Sequence, residues 1–339
     1  ALPALDTIAT FARPQEYSLR SSVLRHHQRS LGGNAKMVYY LTRRFRLPHD
    51  MAGLVYLTQI AQAEAVRTGV EHWRRHRPRC SGALYWQFND CWPVISWASV
   101  DYDGRWKALQ YAARRFYAPL ALSLEDARDQ VGVYVANDTP APWQGEVRWS
   151  LETLAGQAVE SGQEPVTAAP LVATRVRVLD FAPQLGQHGR DSLVFVAELW
   201  QGRAGEAGPR LACQVATFAP EKDLRLPDPG LSTEVMVEQG TLVIALTARA
   251  LARFVALSLP GVDVVFSDNY FDLPAGRTTR VTCPMPEGRS LEQARQTLQV
   301  RSLADVQPAG SPLSDRLRHL LAGLHPVSLI TRLLFGFMK

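Results

Sequence analysis

Lysine is almost missing from this 339-residue sequence. Only Lys36, Lys107, Lys222 and Lys339 occur, and the remaining 33 of the 37 basic residues are arginines. They are scattered, apart from Arg43-Arg44 and the run from His72 to Arg79. That run falls where a helix would end, and cations favour helix C-termini. No nucleic acid partner is therefore expected, despite a net charge of +5 and a pI near 9.1. Cysteine is equally sparse. Cys80, Cys91, Cys213 and Cys283 are too few and too far apart for a disulfide framework or a zinc site. Reduced thiols are expected, with a mild preference for the cytoplasm. No apolar run approaches the ~18 residues that would span a bilayer. HExxH, a glycine-rich phosphate loop and a nucleophile elbow are all missing, so neither a metal nor a cofactor is expected. The start, Ala1-Leu2-Pro3, has no Met, basic n-region or apolar h-region. It is expected to be the cut end of a longer polypeptide, whose signals, for secretion or the periplasm included, would lie out of view.

What is present centres on Gly82-Ala83-Leu84-Tyr85-Trp86-Gln87-Phe88-Asn89-Asp90-Cys91-Trp92-Pro93. A short apolar run, expected as a buried strand from Gly82 to Asn89, ends in polar and aromatic residues. Trp97 and the turn Asp101-Tyr102-Asp103-Gly104-Arg105-Trp106 follow. A barrel strand delivers its functional residues at its C-terminal end in this way. A Trp-rich packing corner between domains would read the same.

Upstream, Leu5 to Phe11 reads as a short helix. Asp50 caps a long helix to about Arg75, with Met51, Leu54, Val55, Thr58 and Ala61 on one stripe. Adjacent His26 and His27 do not share a helix face, and no ligand stands three or four residues away, so no metal is assigned to them. Lys107 to Phe116 reads as a helix. From Leu120 onward, alternation takes over at Val131–Val135, Val147–Leu151, Val172–Leu179, Leu193–Leu199 and Ala212–Phe218, separated by turn residues. A proline-bearing linker, 220–229, leads to a second β set at 234–238, 242–248, 254–259, 263–267, 278–282 and 299–303. Short strands at this spacing predict β-sandwiches. Asp268-Asn269-Tyr270-Phe271-Asp272 reads as a hairpin corner more readily than as a sugar-binding loop. In the tail, Leu317, Leu320, Leu321 and Leu324 share a helical face and Val327–Phe337 is apolar. A docking helix or frayed end is expected there, and a membrane is not an expected partner.

Trp86 and Trp92 suit sugar stacking. An indole face meets the C–H face of a pyranose, while Gln87, Asn89 or Asp90 could take hydroxyls. Glycoside cleavage needs two carboxyl groups flanking the bond. Only Asp90 is well placed, since Glu64 and Glu71 lie within the long helix and Glu16 in a loop. The residues alone thus give a sugar-binding wall without a catalytic pair.

The run from Gly82 to Trp97, continued by Asp101-Tyr102 and Gly104-Arg105-Trp106-Lys107-Ala108-Leu109, resembles the last-strand signature of β-mannosidases of glycoside hydrolase family 2. His27-Gln28 with Gly32-Gly33-Asn34, Gln62-Ala63-Glu64-Ala65, Glu71-His72-Trp73-Arg74 and Ser267–Leu273 extend the resemblance over roughly 1–306. It implies a multidomain α/β plus all-β chain. Residues 1–119 would be the C-terminal part of a (β/α)8 TIM barrel, and 120–222 and 223–308 two immunoglobulin-like β-sandwiches. The tail, 309–339, has no counterpart. It implies retaining hydrolysis of terminal β-D-mannose, with a β-mannoside or manno-oligosaccharide as substrate. The nucleophile would fall just before Ala1, so no catalytic residue is expected in this chain, and the missing N-terminal part of the same polypeptide becomes its partner. Substrate-binding roles carry over to Trp86, Asn89, Asp90 and Trp92. The rival expectation is a non-catalytic carbohydrate-binding or scaffold protein of β-sandwich modules. A partial barrel with an open strand edge is expected to be poorly ordered alone.

Overall fold

The computed structural model describes residues 1–202 and 208–306. The expected tail, 309–339, lies outside the described residues. The chain divides into two compact units, one containing residues 1–64 and 86–110, the other 65–85 and 111–304.

The first unit is helical. Helices α1 (Leu5–Ala9), α2 (Ser22–His26) and α3 (Gly33–Arg44) precede the long α4 (Met51–Arg75), whose first half belongs here. Asp50 is the cap its position predicts, its Oδ1 accepting from Gly53 N–H at 2.7 Å. The buried surface is wider than the expected stripe, because Tyr56, Leu57, Gln59 and Ile60 are buried too. Gln59 tolerates this because both ends of its amide are used. Nε2 donates to the Leu2 carbonyl at 3.2 Å and Oε1 accepts from Ala108 N–H at 3.2 Å. Leu2, Ile8, Leu24, Val55 and Ile95 form the core.

The strand expected from Gly82 to Asn89 does not form. That stretch is irregular, and parallel pairing in this part of the chain is limited to isolated bridges, Asn89 to Val100 and Gln28 to Ile95. A strand is completed by a hydrogen-bonded neighbour along its length, whereas here Ser99 and Val100 bond to the stretch at its end, at Gln87 and Phe88. The apolar pattern was that of a buried strand; the pairing that would make it one is not in this unit. Helix α5 follows at Ala108–Phe116, with Leu109, Ala112 and Phe116 buried.

The second unit is mostly antiparallel sheet. Strands β1 (Leu120–Ala127), β2 (Gln130–Asn137) and β5 (Val172–Asp180) make one sheet, ordered β1-β2-β5. The facing sheet runs β4-β3-β6-β7, from β3 (Trp143–Thr153), β4 (Ala158–Ala168), β6 (Leu193–Gln201) and β7 (Arg210–Thr217). Inward residues of both sheets, Val131, Val133, Val135, Val147, Leu151 and Phe195 among them, meet in one core, where Trp149 and Phe181 lie 6.1 and 5.6 Å from the Phe195 ring. Each such fully buried side chain contributes about 1.5–3 kcal/mol. Helix α6 (Ala182–His188) closes one end, placing Leu185 in the core.

A second, smaller sandwich follows. One sheet is β12-β9-β8, from β8 (Ser232–Glu238), β9 (Thr241–Thr247) and β12 (Thr278–Pro284). The other is β11-β10-β13, from β10 (Ala252–Ser258), β11 (Phe271–Leu273) and β13 (Gln299–Arg301). The expected strand at 263–267 is absent. Helix α7 (Leu291–Thr297) is opened by a capping box in which Ser290 Oγ accepts from Gln293 N–H at 3.2 Å and the Gln293 amide answers at 2.8 Å.

The polar-aromatic stretch at 268–272 is a structural corner. Asn269 is buried, its Oδ1 accepting from Leu257 N–H at 2.8 Å and its Nδ2 donating to the Leu257 carbonyl at 3.0 Å. The side chain stands in for a strand backbone. Tyr270 is half-buried beside it, its phenol pushed up to about 12 by desolvation. Asn269→Leu would orphan both backbone groups and is expected to cost about 2–4 kcal/mol, read as a lower urea midpoint with loss of hydrogen-exchange protection at Leu257. Unchanged protection there would mean that the corner is held by other contacts.

Candidate functional site

The site is the arc from Trp86 to Lys107 in the first unit. The Trp86–Gln87 peptide is cis. Beyond it the chain doubles back. Val100 N–H donates to the Phe88 carbonyl at 2.9 Å, Ser99 N–H to the same carbonyl at 3.0 Å, and Lys107 N–H to the Ser99 carbonyl at 2.9 Å. Ser99 Oγ lies 2.9 Å from the Phe88 carbonyl and 2.8 Å from Gln110 Oε1. The base of the arc is thus clamped by short-range hydrogen bonds, while Trp86, Phe88 and Trp97 stand 75%, 61% and 44% exposed. Gln62 on α4 donates to the Trp97 carbonyl at 2.6 Å and ties the outer limb to the helix.

The four residues singled out from the sequence occupy different positions. Trp86 presents an open indole. Asn89 is exposed, with its amide turned along the chain to the Asp90 carbonyl at 3.2 Å. Asp90 lies beneath the arc, only 4% exposed, and its Oδ1 accepts from Ser96 Oγ at 2.6 Å. Burial raises the Asp90 carboxyl, opposed by the Ser96 hydrogen bond and the Lys107 charge. Ser96 Oγ in turn accepts from Ala98 N–H at 3.0 Å, so Asp90 clasps a tight loop shut. Trp92 is half-buried. The Arg29 guanidinium sits 4.9 Å from its ring centre and the His27 ring 5.1 Å away.

That arrangement accounts for the neighbouring His27-Gln28-Gly32-Gly33-Asn34 pattern. His27 stacks on Phe11 with ring centres 3.8 Å apart and donates from Nδ1 to the Pro93 carbonyl at 2.5 Å. Ile95 N–H donates to the His27 carbonyl at 2.9 Å, and Arg29 N–H to the Ile95 carbonyl at 3.0 Å. Gln28 Nε2 donates to Asn34 Oδ1 at 2.7 Å, and a Cβ on Gly33 would stand 2.4 Å from Gln28 Cδ. Gly32 adopts a φ of +65°, which a side chain would oppose. The histidines hold Trp92 and Pro93 in place. Among the described residues no group of three His, Cys, Asp or Glu side chains could hold a metal, and no helix is long and apolar enough to cross a membrane.

Sequence reasoning missed Asp101 and Lys107 as site residues. Asp101 Oδ2 accepts from Ala4 N–H at 3.1 Å and Thr7 Oγ1 at 2.8 Å, and its Oδ1 from Asp103 N–H at 3.2 Å and Arg105 N–H at 3.0 Å. Lys107 is 1% exposed, and desolvation pushes its ammonium down to about 8 while Asp90 and Asp101 oppose that fall. Two acids and a lysine spaced along one turn signalled a shared network. The other acids of interest are engaged elsewhere. Glu64 lies 3.7 Å from Arg44, and Glu71 takes Arg67 at 3.1 Å and the Gln214 amide at 2.7 Å.

With this geometry in hand, comparison with known proteins points one way. Residues 129–223 match the family model described as a mannosidase Ig/CBM-like domain, and 226–306 an Ig-fold domain of mannosidases. The chain is 30% identical to the β-mannosidase of Capra hircus across 90% of its own length, and 27% identical to β-mannosidase A of Aspergillus fumigatus across the same share. These matches support a portion of a β-mannosidase of glycoside hydrolase family 2. The chain spans 36% of the length of each of those relatives. In fold it resembles the β-D-mannosidase of Dictyoglomus thermophilum, with a TM-score of 0.81 at 24% identity over 89% of this chain and 36% of that one. The exo-chitosanase of Amycolatopsis orientalis follows at a TM-score of 0.67 and 17% identity, over 89% and 40%. The immunoglobulin-like character of the two sandwiches is thus that of the β-mannosidase family, whereas the helical unit shows no parallel sheet among its described residues.

Proposed function

We propose that residues 1–119 form one side of a (β/α)8 catalytic barrel, and that the protein removes terminal β-D-mannose from β-mannosides or manno-oligosaccharides by retaining double displacement. The arc from Trp86 to Trp97 is one wall of the mannose subsite, and Trp86 is its platform. Asn89 stands at the rim, while Asp90 and Trp92 serve the wall from behind. The two catalytic carboxyl groups come from polypeptide outside these residues, which is the partner this unit requires.

The observation that carries this reading is an exposed indole on a base that is otherwise tied down by hydrogen bonds. A flat apolar surface held rigid towards solvent suits a pyranose face and has little other use. A second supporting observation is that the buried acids Asp90 and Asp101 are committed to the arc itself, and Glu64 to Arg44. None is arranged as half of a pair flanking a glycosidic bond.

The test uses an aryl β-mannoside. The 339-residue chain is expected to give no turnover above buffer, and the intact polypeptide is expected to turn it over. In the intact protein Trp86→Ala is expected to raise KM about tenfold, the loss of one stacking contact of about 1–1.5 kcal/mol. Turnover by the chain alone would place a catalytic pair inside it and overturn the assignment. Mannan binding by an intact protein without hydrolysis would favour the non-catalytic module.

A further inference from the structure

Lys107 Nζ and Asp90 Oδ2 are buried side-chain atoms with no hydrogen-bond partner. Both belong to the arc, whereas other acid–base pairs among the described residues make direct contact. Arg253 reaches Glu221 at 3.2 Å, and Arg277 reaches Glu152 Oε2 at 2.9 Å. A buried ammonium without an acceptor is a costly way to fill space. An apolar side chain would fill the same volume without desolvating a charge.

We propose that Lys107 is a positioning residue: its charge, acting on Asp90 and Asp101 from below, fixes where the limb bearing Trp92 and Trp97 stands. Its consequence for a sugar wall rests on the function proposed above; the device itself does not. Backbone places Lys107 at the closing rung of the arc, where its N–H donates to Ser99. Asp90 sits one limb away, closing the loop through Ser96, and Asp101 ties the turn to α1 through Ala4 and Thr7. With Lys107 charged, the two acids have a common counter-charge and the clasp and the turn are drawn to one point. With Lys107 neutral, two buried carboxylates face each other uncompensated, and the loop from Asp90 to Asp101 must shift to hydrate one of them.

The charged groups acting on Lys107 are Asp90 and Asp101, and it faces the Ala1 ammonium. Arg105 is held by Asp103 at 2.8 Å and by Thr7 Oγ1 at 2.8 Å, on the far side of Asp101. Burial lowers the Ala1 amine below its ordinary 8.0, the Lys107 charge adds to that fall and Asp90 opposes it. The sign follows from the lowered value. A lysine whose folded pKa lies below its unfolded one makes the folded state relatively more stable as pH rises between them. Deprotonation therefore does not unfold the unit; it relaxes the limb at constant or rising stability. A purely stabilising role predicts the reverse coupling of position to stability.

The experiment is fluorine NMR of the whole chain labelled with 5-fluorotryptophan, its eight signals assigned by single Trp→Phe variants, alongside Cε-labelled lysine, which gives four signals. From about pH 6 to about pH 10, the Trp92 and Trp97 signals are expected to move with the Lys107 midpoint, within about a unit of 8. Trp149 and Trp200, in the β-sandwich, are expected to stay. Lys107→Met with Asp90→Asn removes both charges and is expected to shift Trp92 and Trp97 at every pH and to abolish the titration, with the unfolding midpoint unchanged or raised. Static Trp92 and Trp97 signals while Lys107 titrates would overturn the proposal, as would a Lys107 still charged at the alkaline end. A double variant whose Trp92 and Trp97 signals match the wild type would overturn it too. No mannoside enters the measurement, so its outcome is independent of the proposed activity.

Discussion

Arg253→Met is expected to destabilise the β-sandwich unit by about 3–5 kcal/mol, measured as a fall in the urea midpoint with unchanged slope. The Arg253 side chain is 3% exposed, and it bridges Glu221, which is fully buried, and Asp272. Its guanidinium also lies 4.3 Å from the Phe254 ring centre. Methionine retains much of the volume but removes the guanidinium that Glu221 and Asp272 share. Asp272 cannot move to relieve this, because its Oδ1 accepts from Phe254 N–H at 3.0 Å. That bond supports the β10 bulge between Ala252 and Val255, where Phe254 has a φ of +53°. Neutralising the acids as well, with Glu221→Gln and Asp272→Asn, is expected to recover most of the loss. Asn at 272 keeps an oxygen for Phe254, and Gln at 221 no longer needs a cation. If the single variant is as stable as wild type, Glu221 has another partner strong enough to replace Arg253. If the triple variant is no better than the single, the cost is packing rather than charge.

How far the sequence disclosed this molecule depends on what each pattern requires to be realised. Strands such as β6 and β9 announced themselves, because a buried β-strand needs only β-branched and apolar residues in alternation and a neighbour that the turns supply. β4 did not. Its sequence from Ala158 to Ala168 is polar and carries Pro165, since it is an edge strand whose outer face meets solvent. β11 hid inside a stretch that read as a loop, because Asn269 supplies strand-like bonds from a side chain rather than from backbone. The reverse error occurred at Gly82–Asn89, where a short apolar run had the pattern of a buried strand but lacked the pairing along its length. Within the candidate site, Trp86 was singled out because a tryptophan closing an apolar run is uncommon, and the structure leaves it exposed. The roles of Asp90 and Lys107 were not, since charge on a sequence says nothing of depth. Only the fold reveals that both are buried and that neither satisfies the other by a hydrogen bond.

Asp101→Asn is expected to cost the helical unit at least about 3 kcal/mol, close to the effect of Asp101→Ala. Asparagine is nearly isosteric with aspartate, so at most sites the change is mild. Here every group facing the carboxylate is a donor. Ala4 N–H and Thr7 O–H approach Oδ2, and Asp103 N–H and Arg105 N–H approach Oδ1. The Thr7 oxygen already accepts from Arg105 Nη1 at 2.8 Å, which leaves it one lone pair for a new donor. With its NH2 on the Oδ1 side the amide opposes the Asp103 and Arg105 N–H groups, and on the Oδ2 side the Ala4 N–H, so either flip turns at least one hydrogen bond into a repulsion. The measurement is hydrogen exchange at Ala4, Asp103 and Arg105 together with limited proteolysis of the first unit. One flip exposes Ala4 and frees α1, and the other opens the 101–105 turn, so the protection lost identifies the flip adopted. An Asp101→Asn chain within about 0.5 kcal/mol of wild type would show that these donors find water as readily as carboxylate, and that the turn below the Trp86–Trp97 arc owes its shape to the backbone alone. A large loss would instead identify one acid as the joint between the N-terminal helix and the Trp86–Trp97 arc.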